Sequence, residues 1–324
     1  MTMTMTGGGD DIQPEEFAQA AAEAITDAQT RSFREAGQAL ANAGLCGVCA
    51  SDNAGGLALG IEFALPIVAA AGRLRLQWPL LETLLIAKAL GDSPLVPELV
   101  GGTRVATWAL QGSLSDKLAG HARYAGDCDW VLVADGQGGA ALLDLSSVVI
   151  QNDEALDPEH PQSWLLLDHA KVLATLDAAT FAALQRDSHI LVGGWVTGAA
   201  EGALSATAAY LSTRVQFGRP LSANQAVRHL LARMRLLQEA CSAGVQRVTR
   251  ADEYGDLRST PAVLAHALAS AAFVLEKSIH LQGGMGFTWD VPLHYALREV
   301  RKFDAAFGSG ALAGQVGRDF IASV

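Results

Sequence analysis

Between Gly101 and about Leu176 the chain breaks into short apolar runs: Arg104-Val-Ala-Thr-Trp-Ala-Leu110, Trp130-Val-Leu-Val133, Ala141-Leu-Leu143, Val148-Val-Ile150 and Trp164-Leu-Leu-Leu167. Gly, Asp and Ser separate them, so they read as strands with turn punctuation. The sequence on either side has helical texture. This inserted sheet constrains the fold more than any other feature. It predicts an α+β chain with an N-terminal all-helical domain at 13–100, a small central β-sheet or barrel domain at 101–180, and a C-terminal antiparallel four-helix bundle at 181–324. Residues 1–12, Met-Thr repeats followed by glycines, are expected to be a disordered tail.

Half of the 324 residues are hydrophobic but only 6% are aromatic, which suits close-packed helices with small side chains. A net charge of -11 with no basic stripe argues against nucleic acid as a partner. Cysteine is scarce, Cys46, Cys49, Cys128 and Cys241, which points to a reducing compartment and a cytoplasmic location. Cys46 and Cys49 have no second pair to complete a tetrahedral metal site, so they read as two small buried residues. The N-terminus lacks the charged start and apolar core of a secretory signal. The apolar stretch His189 to Leu211 carries Glu201 among many Gly and Ala, and reads as a buried helix instead of a membrane span.

Pro14 to Asn42 reads as helix, with Gly37 as its only internal breaker, and the turn Ser51-Asp-Asn-Ala-Gly-Gly-Leu-Ala-Leu-Gly60 ends it. Helices are predicted over Glu62 to Arg73 and Leu80 to Leu90, with the first part ending near Leu99. Gly136-Gln-Gly-Gly-Ala-Ala141 nominally fits a dinucleotide fingerprint, but another strand-like run follows it, so it reads as a hairpin turn. In the last part a helix from about Asp187 to Ser212 carries Gly194, Gly198, Gly202 and Ala206, which would let bundle helices approach closely. Val227, Leu230, Leu231, Met234, Leu237, Cys241 and Val248 mark the inner face of a second helix. Thr260-Pro261 is a cap and first-turn pair for a third, whose inner face holds Leu264, Leu268, Ala271, Leu275 and Ile279.

Two motifs exceed what packing needs. Arg214 stands where the first long helix runs out, followed by Gln216, Phe217, Gly218 and Pro220. A guanidinium there can make paired hydrogen bonds to a phosphate, or it can serve as a cationic helix C-cap. Gln282-Gly-Gly-Met-Gly286 ends another helix with three glycines where an ordinary stop needs one, so its backbone is open to a ring or phosphate.

Together, Arg214-x-Gln-Phe-Gly-x-Pro220, Asn224-Gln225, Gly283-Gly-x-Gly-Phe-Thr-Trp-Asp-x-Pro292 and Arg298-Glu299 resemble the acyl-CoA dehydrogenase family in order and spacing. Asp52-Asn-Ala-Gly-Gly-Leu-Ala-Leu59 is similar to the glycine turn of that family's first domain. The resemblance implies a flavoprotein that desaturates an acyl-CoA thioester, with FAD accepting the hydride and an electron-transfer flavoprotein as a further partner. It implies FAD-facing roles, toward a neighbouring subunit's cofactor, for Arg214, Gln216, Phe217, Asn224, Gln225, His280, Gln282, Gly283 and Gly284. His280 and Gln282 depart from the residue types common there.

The chemistry needs a carboxylate base near the flavin. In the register of Arg298-Glu-Val-Arg-Lys-Phe-Asp-Ala-Ala-Phe-Gly-Ser309, Phe307 occupies its place. The family's alternative position falls near Ser188, beside Asp187, and Asp304, Glu201 and Glu299 are further candidates. The family's middle-domain stretch that contacts flavin and substrate survives only as Ala109-Leu-Gln-Gly-Ser-Leu-Ser-Asp116. Both departures point to a subunit that resembles the non-catalytic member of heteromeric acyl-CoA dehydrogenases such as those acting on steroid side chains, binding part of FAD beside a paralogue that holds the base. The alternatives are a complete homo-oligomeric dehydrogenase with a relocated base and a flavin-free helical scaffold.

Overall fold

The computed structural model describes residues 13–154, 157 and 160–323; the predicted disordered tail lies outside these residues. The stretch expected to be one helix over Pro14 to Asn42 is two, α1 (Glu16–Ala28) and α2 (Phe33–Asn42). Ser32 causes the break: its N–H and hydroxyl both donate to Glu35 Oε2, at 3.1 and 2.7 Å, in a capping box that starts α2. Then come α3 (Ile61–Leu74), α4 (Leu80–Leu90) and the short α5 (Val96–Val100). Cys46 and Cys49 are buried free thiols whose pKa burial pushes up to about 12, so both stay protonated.

The middle of the chain forms a seven-stranded sheet of β1 (Ala106–Ser113), β2 (Leu118–Arg123), β3 (Trp130–Ala134), β4 (Ala140–Asp144), β5 (Val149–Asp153), β6 (Gln162–Leu166) and β7 (Lys171–Leu176). Its order is β5-β6-β2-β1-β3-β4-β7. Every pairing is antiparallel except β1 with β3. Gly136 and Gly138 turn the β3–β4 hairpin at positive φ, as a turn and not a dinucleotide loop. Strands β2 and β7 were not foreseen. In β2 a register shift between Ala119 and Ala122 puts His121 at φ +55, which breaks the alternation that would mark a strand.

Helix α6 (Ala178–Thr213) begins nine residues before its predicted start, because Asp177 caps it by accepting the Thr180 N–H at 2.8 Å. Helices α7 (Gln225–Val248), α8 (Pro261–Leu281), α9 (Leu293–Phe307) and α10 (Ser309–Ala322) follow. Val245 lies against Gly193, and Cys241 reaches the carbonyl of His266 while Arg233 covers the ring of Phe273. These contacts make α7 antiparallel to both α6 and α8. Among the described residues α8 is the helix long and apolar enough to cross a membrane, and most of its apolar window is buried.

The glycine stripe of α6 faces α3 instead of another bundle helix. A Cβ on Gly198 would lie 2.0 Å from the carbonyl oxygen of Ala69, and one on Gly72 would lie 1.9 Å from that of Trp195. The two backbones touch, which only glycine allows. Ala206, the last member of the predicted stripe, is exposed.

A buried ionic network ties the three parts of the chain together. Arg123, at the end of β2, donates to Glu82 of α4 at 2.8 Å and to Glu299 of α9 at 2.7 Å. Lys302 pairs with Glu299 and, at 3.1 Å, with Asp157. All five side chains are at least 95% buried. The Arg123 guanidinium lies 4.5 Å from the Phe303 ring centroid. Burial would raise the Glu299 carboxyl, but Arg123 and Lys302 outweigh it and hold the carboxyl below its ordinary range.

Candidate functional site

The antiparallel order returns the chain, so the end of α6, the start of α7 and the end of α8 share one end of the bundle. The segment Arg214–Pro220 makes a hairpin there, pairing Val215 with Pro220 and Gln216 with Arg219. Phe217 and Gly218 form its two-residue turn at φ +54 and +78, the mirror-type turn that suits tight hairpins. Phe217 is 95% exposed despite this strained backbone. Arg214 is exposed and, among the described residues, in no ion pair. Gln216 and Gln225 are exposed as well.

At the end of α8, His280 is exposed while Gln282 is buried, its N–H donating to the carbonyls of Ser278 and Ile279 at 3.2 Å. Gly283, at φ +64, and Gly284 have open space where a Cβ would stand, so their backbone is accessible from outside. Gly286 is there for packing, since a Cβ would come 2.1 Å from the Ile279 carbonyl oxygen. Asn224 spends its side chain within the hairpin, accepting from Arg219 at 2.8 Å and donating to the Leu221 carbonyl at 3.2 Å. The structure therefore gathers Arg214, Gln216, Phe217, Gln225, His280, Gly283 and Gly284 on one exposed end, with Gln282 buried and the Asn224 side chain bonded within the hairpin.

Phe307 ends α9 and meets the His189 ring edge-on, with centroids 5.8 Å apart. His189 Nδ1 bonds the Thr260 hydroxyl at 2.9 Å, so Thr260 does not make the side-chain cap expected of it at the start of α8. Burial pushes the His189 imidazole below its ordinary pKa. Three of the candidate bases are held by cations: Asp187 by Lys88 and by Arg186 at 3.5 Å, Asp304 by Arg301 at 3.3 Å, and Glu299 by Arg123 and Lys302. Glu201 lines a different cleft, beside α3. Gln111, in the weak middle-domain remnant, donates from Nε2 to the carbonyls of Ala305 and Ala306, at 3.1 and 3.3 Å. It thus tethers β1 to the turn of α9 that ends in Phe307. The sequence reading missed Gln111 and Arg123; a lone arginine in an otherwise small-residue strand was the available signal for the second.

Residues 186–319 match the family model described as acyl-CoA dehydrogenase, C-terminal domain. That stretch is an acyl-CoA dehydrogenase C-terminal domain. The acyl-CoA dehydrogenase FadE34 of Mycobacterium tuberculosis is 27% identical over 293 residues, 86% of this chain and 40% of that protein. The acyl-CoA dehydrogenase IpdE2 of Mycolicibacterium smegmatis is 33% identical over 129 residues, 39% of this chain and 37% of the relative. The chain thus spans less than half the length of these relatives. Among solved structures, a variant of the Tcur3481-Tcur3483 steroid ACAD superposes with a TM-score of 0.82 at 25% identity, covering 96% of this chain and 98% of the other. The ChsE4-ChsE5 complex of Mycobacterium tuberculosis gives 0.81 at 21% identity, covering 99% of each chain. The acyl-CoA dehydrogenase fold therefore extends beyond the matched C-terminal domain to nearly the whole chain.

Acyl-CoA dehydrogenases bind FAD, and the two regions of this chain that such a cofactor would approach differ in what they offer. The unpaired Arg214 and the open backbone of Gly283 and Gly284 fit a pyrophosphate approaching the end of the bundle from outside. At the other side, the two stretches that would flank a flavin ring and its substrate are hydrogen-bonded to each other through Gln111.

Proposed function

We propose that this chain is the non-catalytic subunit of a heteromeric acyl-CoA dehydrogenase, offering Arg214, Gln216, Phe217, Gln225, His280, Gly283 and Gly284 to the FAD of a paralogous partner. The partner would hold the carboxylate that removes the α-proton of an acyl-CoA, with the β-hydride passing to FAD. Electron-transfer flavoprotein is the proposed acceptor from the reduced complex, and the scarcity of cysteine is the basis for proposing a cytoplasmic location. The observation that carries the reading is the Gln111 tether onto the carbonyls of Ala305 and Ala306, beside a phenylalanine where the base is expected. The superposition on chains from named two-component assemblies supports it further.

A relocated base in this chain is disfavoured because Asp187, Asp304 and Glu299 are each already engaged by a cation, and Arg123 and Lys302 hold the Glu299 carboxyl below its ordinary range. A flavin-free scaffold leaves the doubly glycine-opened turn without a role and reduces Arg214 to a cationic helix C-cap. The test is purification of this chain alone and with a candidate paralogue. Flavin retention and acyl-CoA-dependent flavin bleaching are expected only in the pair. A lone chain that carries stoichiometric flavin and turns over acyl-CoA defeats the proposal.

A further inference from the structure

Helix α3 stops on an arginine in a place that suits glycine. Arg75 caps the helix at φ +59 and ψ +50, the left-handed conformation that helix ends usually give to a residue without a Cβ. An arginine there carries a backbone cost that glycine avoids, so what it contributes lies in its side chain. Its backbone is held from two sides: Gln29, at the end of α1, donates from Nε2 to the carbonyls of Leu74 and Arg75 at 2.6 and 3.3 Å, and Gln77 donates to the Arg75 carbonyl at 3.3 Å. From this base the half-buried guanidinium crosses to the C-terminal domain, where Nη1 donates to the Pro292 carbonyl at 2.9 Å. Among the described residues Arg75 is in no ion pair.

Pro292 closes the turn that opens at Gly283 and leads into α9. Beyond Gly286, packing holds this turn weakly: Phe287 and Trp289 are 79% and 63% exposed, and Gly283 and Gly284 stand in open space. Thr288 donates to the Met285 carbonyl from its N–H and its hydroxyl, and the Val291 N–H donates to the Thr288 carbonyl, so these bonds fold the turn on itself. Arg75 brings a bond from a helix 217 residues earlier in the chain. The turn is thereby pinned at both ends, by α8 through Gly283 and by α3 through Pro292.

We infer that Arg75 is a positioning residue for the cofactor-facing turn: its bond to Pro292 holds the backbone of Gly283 and Gly284 in the orientation that the partner's FAD meets. This rests on the proposed reading of those glycines as FAD-facing. Amide hydrogen exchange over residues 283–293, measured on the chain alone, reads the turn with no flavin present. Exchange should quicken about tenfold in both Arg75→Gly and Arg75→Ala, since each removes the bond. Arg75→Gly also relieves the left-handed strain, so its thermal midpoint should stay within about 2 °C of wild type and above that of Arg75→Ala. Arg75→Lys should bring exchange back to within about threefold of wild type, because the bond uses a single donor. In the assembled pair the Gly and Ala variants should release flavin about tenfold faster than wild type, with Arg75→Lys close to wild type, as a turn no longer held in its binding orientation must be ordered by the cofactor itself. Turn exchange in Arg75→Gly and Arg75→Ala that matches wild type, or that follows the thermal midpoint instead of the bond, overturns the inference. Equal flavin release from wild type and all three variants overturns it too. A wild-type pair that holds no flavin overturns the reading beneath it, and the exchange measured on the lone chain tells the two failures apart.

Discussion

Replacing Arg123 with Met removes the single cation on which Glu82 depends. Glu82 Oε1 accepts from Arg123 at 2.8 Å, its other oxygen has no hydrogen-bond partner, and the side chain is 3% exposed. Glu299 is better placed, since Lys302 remains beside it. Breaking a buried pair by deleting one member costs about 3–5 kcal/mol, because the other charge is left without compensation. For 324 residues the unfolding entropy is about 0.7 kcal/mol/K, so a loss of about 4 kcal/mol lowers the midpoint by about 6 °C. Glu82→Leu combined with Arg123→Met should recover most of the loss, because a full apolar replacement leaves no orphaned charge. Calorimetry or thermal circular dichroism on the two single variants and the double variant gives the coupling energy. A loss below about 1 kcal/mol for Arg123→Met, or a double variant no better than the single, refutes the reasoning that the network holds β2 to α4 and α9.

Three further outcomes are expected. His189 has a folded pKa below its unfolded value, so the unfolded chain takes the proton first; the stability it contributes is present above about pH 6.5 and lost as pH falls through that value toward the folded one. His189→Gln should flatten the midpoint-against-pH curve in that window, and identical slopes would remove the histidine from the account. Gly198→Val places atoms 2.0 Å from the Ala69 carbonyl oxygen, and should cost more than about 3 kcal/mol or abolish soluble expression; near-wild-type urea unfolding contradicts the α3–α6 contact. Arg214→Ala in the assembled pair should weaken flavin retention about 10- to 100-fold by loss of charge-assisted bonds. Unchanged flavin absorbance after gel filtration would take Arg214 out of the cofactor surface.

What could be read from the chain before its structure follows the range of the forces involved. The bounds of α3 and α4, the β3–β4 hairpin and the buried face of α8 all came from short-range pattern, and the structure has them nearly as expected. The α1–α2 break was also local, since Ser32 and Glu35 spell a capping box, but alanine-rich flanks hid it. Strand β2 was illegible because a bulge interrupts its alternation. At the site, the Arg214 hairpin and the glycine turn announced themselves through residue types that packing alone does not require. Gln111 and Arg123 did not: Gln111 acts on a carbonyl 194 residues away and Arg123 on carboxylates 41 and 176 residues away, and no local periodicity encodes that. The stripe of Gly194, Gly198 and Gly202 signalled a close approach but not which helix would come near.

That approach has a consequence for how the chain is made. α3 is synthesised more than a hundred residues before the part of α6 that covers it. Until then the apolar face around Leu65, Val68 and Ala69 has no cover, and α6 can dock only by closing a loop that contains the entire sheet. Such a non-local step is slow and leaves the nascent N-terminal helices prone to aggregation. Production of this protein should therefore respond to lower temperature and to chaperone supply more strongly than its final stability would suggest.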